Sequence, residues 1–213
     1  MSDFDTVLLD LDGTLVDSAA GIFGSLRDAF DELGVPWPED SVGPAILGPP
    51  LHETLPSIIG AEATRAVMQA YRRRYAEEGL HRSIPYPGIA ELLHELAGRG
   101  ARLALATSKA EVHARVILEN LGWSDLFAEI VGDTLDAGLP TKAAVIAEAL
   151  ARLGGHDGAV MIGDRRTDVV GARAHGIDCL GAGWGYGEPD ELAAAGAVAI
   201  VESPAALGPM LIR

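Results

Sequence analysis

The sequence predicts an α/β fold: a parallel sheet with helices on its faces, interrupted by one inserted helical segment. Three observations carry that expectation. Short apolar runs alternate with amphipathic helical stretches along most of the chain, the pattern of strand–helix–strand crossovers. The runs are rich in Val, Ile, Leu and Ala, as strands buried on both faces are. From about Asp17 to about Ile84 there is no convincing strand, although a crossover needs only about a dozen residues.

In chain order, strands are expected at Thr6–Leu9, Arg102–Ala106, Ala128–Val131, Ala159–Ile162, Cys179–Ala182 and, more weakly, Val198–Val201. Ile89–Gly98 carries a helical stripe of Leu92, Leu93 and Leu96, and Val112–Leu121 and Ala143–Leu153 read the same way. Gly100, Gly122 and Gly154 follow as stop signals. Within the interruption Ala19–Leu33 and Ala63–Tyr75 have helical character, with Pro and Gly clusters between them. The expected division is an α/β core of residues 1–16 and 85–213 and a helical cap of residues 17–84, left near Tyr86-Pro87-Gly88. A few extra helices on one shared core are the alternative. The cap is preferred because the insertion falls immediately after the strongest motif.

Composition narrows the function. A chain of 213 residues, 48% hydrophobic, buries a core without covalent staples. Lys and Arg number 16 against 31 Asp and Glu, a net charge of −15, so a nucleic acid polymer is not an expected partner. A single anionic metabolite remains admissible, because a metal ion and helix N-termini supply local positive charge. Cys179 is the only cysteine, which excludes an intrachain disulfide and a thiolate zinc cluster. The acidic start Met1-Ser2-Asp3-Phe4-Asp5 does not read as a signal peptide. No apolar run approaches the roughly 20 residues of a membrane span, so a cytoplasmic location without a membrane partner is expected. All but two of the 16 basic residues are arginine; Lys109 and Lys142 are the exceptions. A lysine kept in such a chain suggests a need for a compact point charge.

Four strand–helix junctions carry the chemistry. Asp10-Leu11-Asp12-Gly13-Thr14 ends the first strand, where parallel sheets bind ligands. Its two carboxylates project into one crevice, and Gly13 permits a tight turn. Thr107-Ser108 ends the next strand; a hydroxyl and the following amides hold a phosphate oxygen, although a helix N-cap alone would explain the pair. Lys142 opens the helix after the third strand, the end at which a cation is disfavoured unless an anion is near. Gly163-Asp164-Arg165-Arg166-Thr167-Asp168 follows the fourth, with Asp168 one helical turn beyond Asp164; helix capping by Asp is the competing reading.

Each junction has an ordinary explanation by itself. Acid pair, hydroxyl, lysine and acid pair in succession do not. Two like charges about 4 Å apart repel by about 4 kcal/mol at an effective dielectric near 20. Carboxylates gathered at one edge therefore call for a divalent cation, and Mg2+ suits a site with few carboxylates, waters and phosphate oxygens.

These motifs resemble the four of the haloacid dehalogenase superfamily, over the whole chain. The resemblance implies a Rossmann-like parallel sheet, with the insertion similar to the small helical cap of the phosphoglycolate phosphatase-like branch. Ile46-Leu47-Gly48-Pro49-Pro50-Leu51, Gly171-Ala172, Gly176–Asp178 and Trp184-Gly185-Tyr186-Gly187 resemble segments of the bacterial 5′-nucleotidase-like group. Phosphoglycolate phosphatases usually carry Lys-Pro at the third motif, where this chain has Lys142-Ala143.

The resemblance implies that Asp10 is nucleophile and metal ligand. It makes Asp12 general acid then base, with its carbonyl on the metal. Thr107, Ser108 and Lys142 would bind substrate phosphate, Asp164 the metal, and Asp168 either the metal or its surroundings. The implied reaction is Mg2+-dependent hydrolysis of small phosphate monoesters through a phospho-aspartate. Nucleoside 5′-monophosphates are the first substrate class and phosphoglycolate the alternative. A dehalogenase would not need Asp12. A phosphosugar mutase shares the motifs, and a receiver-like switch is shorter and lacks the insertion.

Other features are expected to be secondary. Arg72-Arg73-Arg74 reads as a solvated helix face, and His52 and His81 as surface residues. Lys109 adds positive potential near the mouth. The Trp184–Gly187 loop either lines the crevice or is only a glycine-rich connection, with the connection preferred, and substitutions around Ile46–His52 are expected to alter substrate preference.

Overall fold

The computed structural model describes residues 4–39, 41–43, 46–47, 51–134, 138–155 and 158–211. The chain forms two compact units, one reaching to Asp17 and resuming at Pro85, the other Ser18–Ile84.

The first unit is the expected α/β sheet. Its strands are β1 (Thr6–Leu9), β4 (Arg102–Ala110), β5 (Phe127–Asp133), β6 (Ala159–Gly163), β7 (Asp178–Ala182) and β8 (Ala199–Val201). Two short strands, β2 (Val16–Asp17) and β3 (Ile84–Pro85), lie where the insertion departs and returns. The sheet order is β5-β4-β1-β6-β7-β8, with every pairing parallel. β1 is central and wholly buried, as its unbroken apolar run requires. Successive crossovers build outward from it in both directions, so a switch in strand order lies beside β1, where ligands bind in open α/β sheets.

The helices of this unit are α4 (Ile89–Gly98), α5 (Glu111–Asn120), α6 (Lys142–Leu153), α7 (Arg166–Arg173), α8 (Pro189–Ala195) and α9 (Pro204–Leu211). Val145, Ile146 and Ala149 of α6 pack with Leu8, Ala104 and Met161 of the sheet in one cluster. Thr141 caps α6, its Oγ1 accepting the Ala144 N–H at 3.2 Å. Gly154 ends the helix in the left-handed region at φ 81°, where glycine avoids the Cβ penalty.

The second unit holds α1 (Ala19–Leu33), α2 (Leu51–Ile59) and α3 (Ala61–Glu77). Leu26, Phe30, Val42, Ile46, Leu55, Val67 and Met68 form its core. The Phe30 and Trp37 rings meet edge-on at 5.2 Å, and Arg27 covers Trp37 at 5.0 Å.

Candidate active site

The C-terminal edge of the sheet gathers the four expected motifs. Asp10 follows β1, and its N–H donates to Ile162 O at 3.0 Å, so the backbone there still belongs to the ladder. Its side chain is buried. Lys142 begins α6 and is also buried, with Nζ 2.7 Å from Asp10 Oδ1 and 2.8 Å from Asp168 Oδ1, and donating to Ala106 O at 3.0 Å. That is why a cation is tolerated at a helix N-terminus: two carboxylates and a carbonyl face it. The tight packing of Gly171 makes room, since a Cβ there would lie 2.9 Å from Lys142 Cγ. Burial alone would lower the Lys142 pKa, but the charges of Asp10 and Asp168 outweigh it and raise the pKa above the ordinary lysine value.

Asp164 and Asp168 are both fully buried. Asp164 Oδ2 accepts the Tyr186 N–H at 2.8 Å, and Thr14 Oγ1 lies 3.4 Å from Oδ1. Asp168 serves two roles. Its Oδ2 accepts the Arg165 N–H at 2.9 Å, closing the N-terminus of α7, while Oδ1 faces Lys142. One carboxylate therefore both caps α7 and faces the buried lysine.

Asp10, Asp164 and Asp168 bring oxygens within 4.8 Å of one another. Burial raises the Asp10 pKa to about 6, with Lys142 opposing the shift and the charge of Asp168 adding to it. Burial, then the charges of Asp168 and Asp10, hold Asp164 well above the carboxylate range. Asp12 Oδ1 is buried without a hydrogen-bond partner, while Oδ1 of Asp10 and Oδ1 of Asp168 share the Lys142 ammonium as their ion-pair partner. Several oxygen donors under mutual repulsion, with lone pairs unsatisfied, fit a hard divalent cation.

Thr107 is buried within β4, three residues before its end, and Ser108 is exposed. Neither caps α5, whose N-cap position is Ala110, so capping does not explain the pair. Lys109 lies with Nζ 3.1 Å from Asp12 Oδ2. It does more than add potential near the mouth: it is ion-paired with Asp12 of the acid pair.

The Trp184–Gly187 loop is not a simple connection. Trp184 Nε1 donates to Thr14 O at 3.0 Å, and the Tyr186 phenol donates to Asp17 Oδ1 at 2.8 Å. A Cβ on Gly185 would overlap Asp164 and Gly13 O, and one on Gly187 would overlap Asp164 O. The loop packs directly against Thr14 and Asp164. Sequence reasoning undervalued it because glycine spacing reports close approach without saying to what.

Elsewhere the ordinary readings hold. Arg73 and Arg74 both engage Glu32 on the face of the second unit. His52 is exposed, 3.8 Å from Glu53, and His81 is exposed. Gly48, Pro49 and Pro50 lie outside the described residues. Ile46 and Leu47 are buried; Ile46 is a core residue of the second unit rather than a presented side chain. No described helix is long and apolar enough to cross a membrane.

Comparison with known proteins supplies a context. A family profile described as haloacid dehalogenase-like hydrolase matches residues 7–182. A tyrosine-protein kinase, PtkA, of Mycobacterium tuberculosis is 45% identical over 86% of this chain and 64% of its own length. This chain thus matches under two thirds of that relative. A 5′-nucleotidase of Pseudomonas aeruginosa is 37% identical, covering 90% of this chain and 88% of that protein. A phosphoglycolate phosphatase of Rhodospirillum rubrum is 34% identical over 96% and 90%. The structure of a haloacid dehalogenase-like family hydrolase of Streptococcus pneumoniae superposes with a TM-score of 0.92 at 32% identity, over 100% of both chains.

Proposed function

Because the chain belongs to the haloacid dehalogenase-like hydrolase family, we propose that it hydrolyses small phosphate monoesters through a phospho-aspartate at Asp10. The supporting observation is the convergence of Asp10, Lys142, Asp164 and Asp168, buried together at the edge of β1. The relatives named 5′-nucleotidase and phosphoglycolate phosphatase support the reaction class. Nucleoside 5′-monophosphates are the first substrate class and phosphoglycolate the second.

In this reading Asp10 attacks phosphorus, and Asp12 protonates the departing ester oxygen. Water then attacks phosphorus, Asp12 takes its proton, and Asp10 is released. Lys142 and Thr107 meet the phosphoryl oxygens, where a fixed cation stabilises developing charge; Ser108 offers its backbone at the rim. Asp168 holds Lys142 by ion pairing and adds charge to the metal position. Asp10, the Asp12 carbonyl and Asp164 would hold Mg2+. A bound Mg2+ would neutralise charge on the transferring group and on the gathered carboxylates. Such chemistry fits a cytoplasmic enzyme acting on soluble metabolites.

A second reading follows from the relative named as a tyrosine-protein kinase. The same acid pair would pass a phosphoryl group to a tyrosine hydroxyl in place of water. One panel separates the readings: nucleoside monophosphates, phosphoglycolate and a generic aryl phosphate, beside ATP with a tyrosine peptide, all with Mg2+. Phosphate release from the esters with a trapped aspartyl phosphate is expected. Phosphopeptide formation without ester hydrolysis would favour the kinase reading, and no phosphate release from any ester would overturn the phosphatase reading.

A further inference from the structure

We propose that Lys109 is a positioning residue for Asp12, anchoring one carboxylate oxygen so that the other, Oδ1, is the atom that handles the proton. The inference rests on the phosphatase reading. It starts from an asymmetry within one side chain. Asp12 Oδ2 lies 3.1 Å from Lys109 Nζ, whereas Oδ1 is buried and has no hydrogen-bond partner. A carboxylate held at one oxygen and free at the other is oriented without being used up. The Asp12 backbone is fixed separately, by a bridge to Val16. What remains to be set is the side-chain rotation, which the Lys109 contact restrains.

The fold is built to deliver this ammonium. From Ala104 opposite Glu129 to Thr107 opposite Gly132 the β4–β5 register is regular, then it shifts and resumes at Ala110 opposite Asp133. Ser108 and Lys109 occupy the irregularity, and a strand bulge is a known means of re-aiming a side chain. Gly132 permits it: any Cβ there would overlap Lys109 O and lie 2.7 Å from Glu111 N. The Lys109 N–H donates to Thr107 Oγ1 at 3.2 Å, tying the bulge to the phosphate-side hydroxyl. The Lys109 side chain is 8% exposed, so its charge acts with little solvent screening. The chain uses arginine almost everywhere, yet its two lysines face the two carboxylates of the first motif, Lys142 at Asp10 and Lys109 at Asp12. A point charge at one oxygen suits this role, whereas an arginine fork would engage both oxygens.

The test is leaving-group dependence. Lys109→Met keeps the stem and removes the charge. Wild type and variant are assayed with Mg2+ on phosphate esters from p-nitrophenyl, whose departure needs little protonation, to alkyl, whose departure needs a well-placed acid. Expected is a loss in kcat of about tenfold or more on alkyl esters, with about threefold or less on p-nitrophenyl phosphate and little change in KM. In an Asp12→Asn background, Lys109→Met should add little further loss. An equal loss on every ester would make Lys109 merely structural. A loss confined to KM would make it a substrate contact, and full additivity with Asp12→Asn would break the link between the residues. Any of these overturns the inference while the phosphatase reading stands. A wild-type enzyme that hydrolyses no ester in the series overturns both.

Discussion

The backbone N–H of Tyr186 donates to Asp164 Oδ2 at 2.8 Å, and its phenol donates to Asp17 Oδ1 at 2.8 Å. One residue of a glycine-rich loop thereby fixes a candidate metal ligand to the stretch that follows the acid pair. The loop approaches closely because Gly185 and Gly187 have no Cβ to collide with Asp164.

Gly185→Ala should therefore displace the loop or the carboxylate. The expected cost is about 1–3 kcal/mol of stability, as for an overpacked core site, together with weaker Mg2+ binding. Calorimetric Mg2+ titration and thermal unfolding check both. Gly98→Ala is the control: it lies in α4 with nothing within 4 Å of the added Cβ. It should raise stability by about 0.5–1 kcal/mol through helix propensity alone.

Lys142→Ala should lower kcat roughly 10²-fold or more, the scale for losing a preorganised donor to the transition state. On p-nitrophenyl phosphate its loss should far exceed that of Lys109→Met. Lys142→Arg should not restore activity, because Gly171 already packs against the lysine stem. Steady-state kinetics decide the matter; equal and small effects of the two lysines would reduce Lys142 to a structural ion-pair member.

Much of this was legible in the sequence. β1 and α4 have the expected bounds, because an unbroken apolar run and a leucine stripe are local signals. Lys142 was legible as an anomaly, a cation at the wrong helix end, and the structure supplies its two carboxylates. β4 runs four residues past its expected end, since a bulge leaves no composition signal. For the same reason the Lys109–Asp12 pair was not read: it depends on a side chain being re-aimed across 97 residues of sequence. The contacts of the Trp184–Gly187 loop were not legible because its partners Thr14, Asp17 and Asp164 are distant along the chain.

Ile46 has a structural role that the sequence did not reveal. It was expected to belong to a segment that tunes substrate preference, yet it is buried with Val42 and Leu55. Ile46→Ala should destabilise the protein by about 2–4 kcal/mol, a transfer term plus a cavity term. Any activity loss should be shared across all esters, generic ones included. Thermal unfolding beside kcat/KM on the ester panel checks this. A selective change without destabilisation would instead support the expected role of the segment in specificity.

Asp10→Asn should abolish turnover, since an amide supplies no anionic nucleophile, and should also change how stability responds to pH. Burial raises the Asp10 pKa from 3.8 to about 6. Between those values the folded protein retains a proton that the unfolded chain has released. Stability then falls as pH rises through that window, because the folded state binds more protons. This is opposite in sign to an ordinary ion-paired carboxylate, whose contribution is lost on acidification. The penalty is absent below pH 4 and full above pH 6, on the order of 2–3 kcal/mol for such a shift. Asp164, also shifted upward by burial, adds to it. In chelator at pH 7 the Asp10→Asn variant should unfold at a higher temperature than wild type. The difference should shrink toward pH 4, where wild-type Asp10 is protonated as well. Mg2+ at pH 7 should stabilise wild type more than the variant, because it relieves the repulsion that the substitution has already removed. Thermal unfolding at pH 4, 5.5 and 7, with Mg2+ and with chelator, reads all three effects. A variant less stable than wild type in chelator at pH 7 would mean that the Asp10–Lys142 attraction at 2.7 Å outweighs the cost of burying the charge.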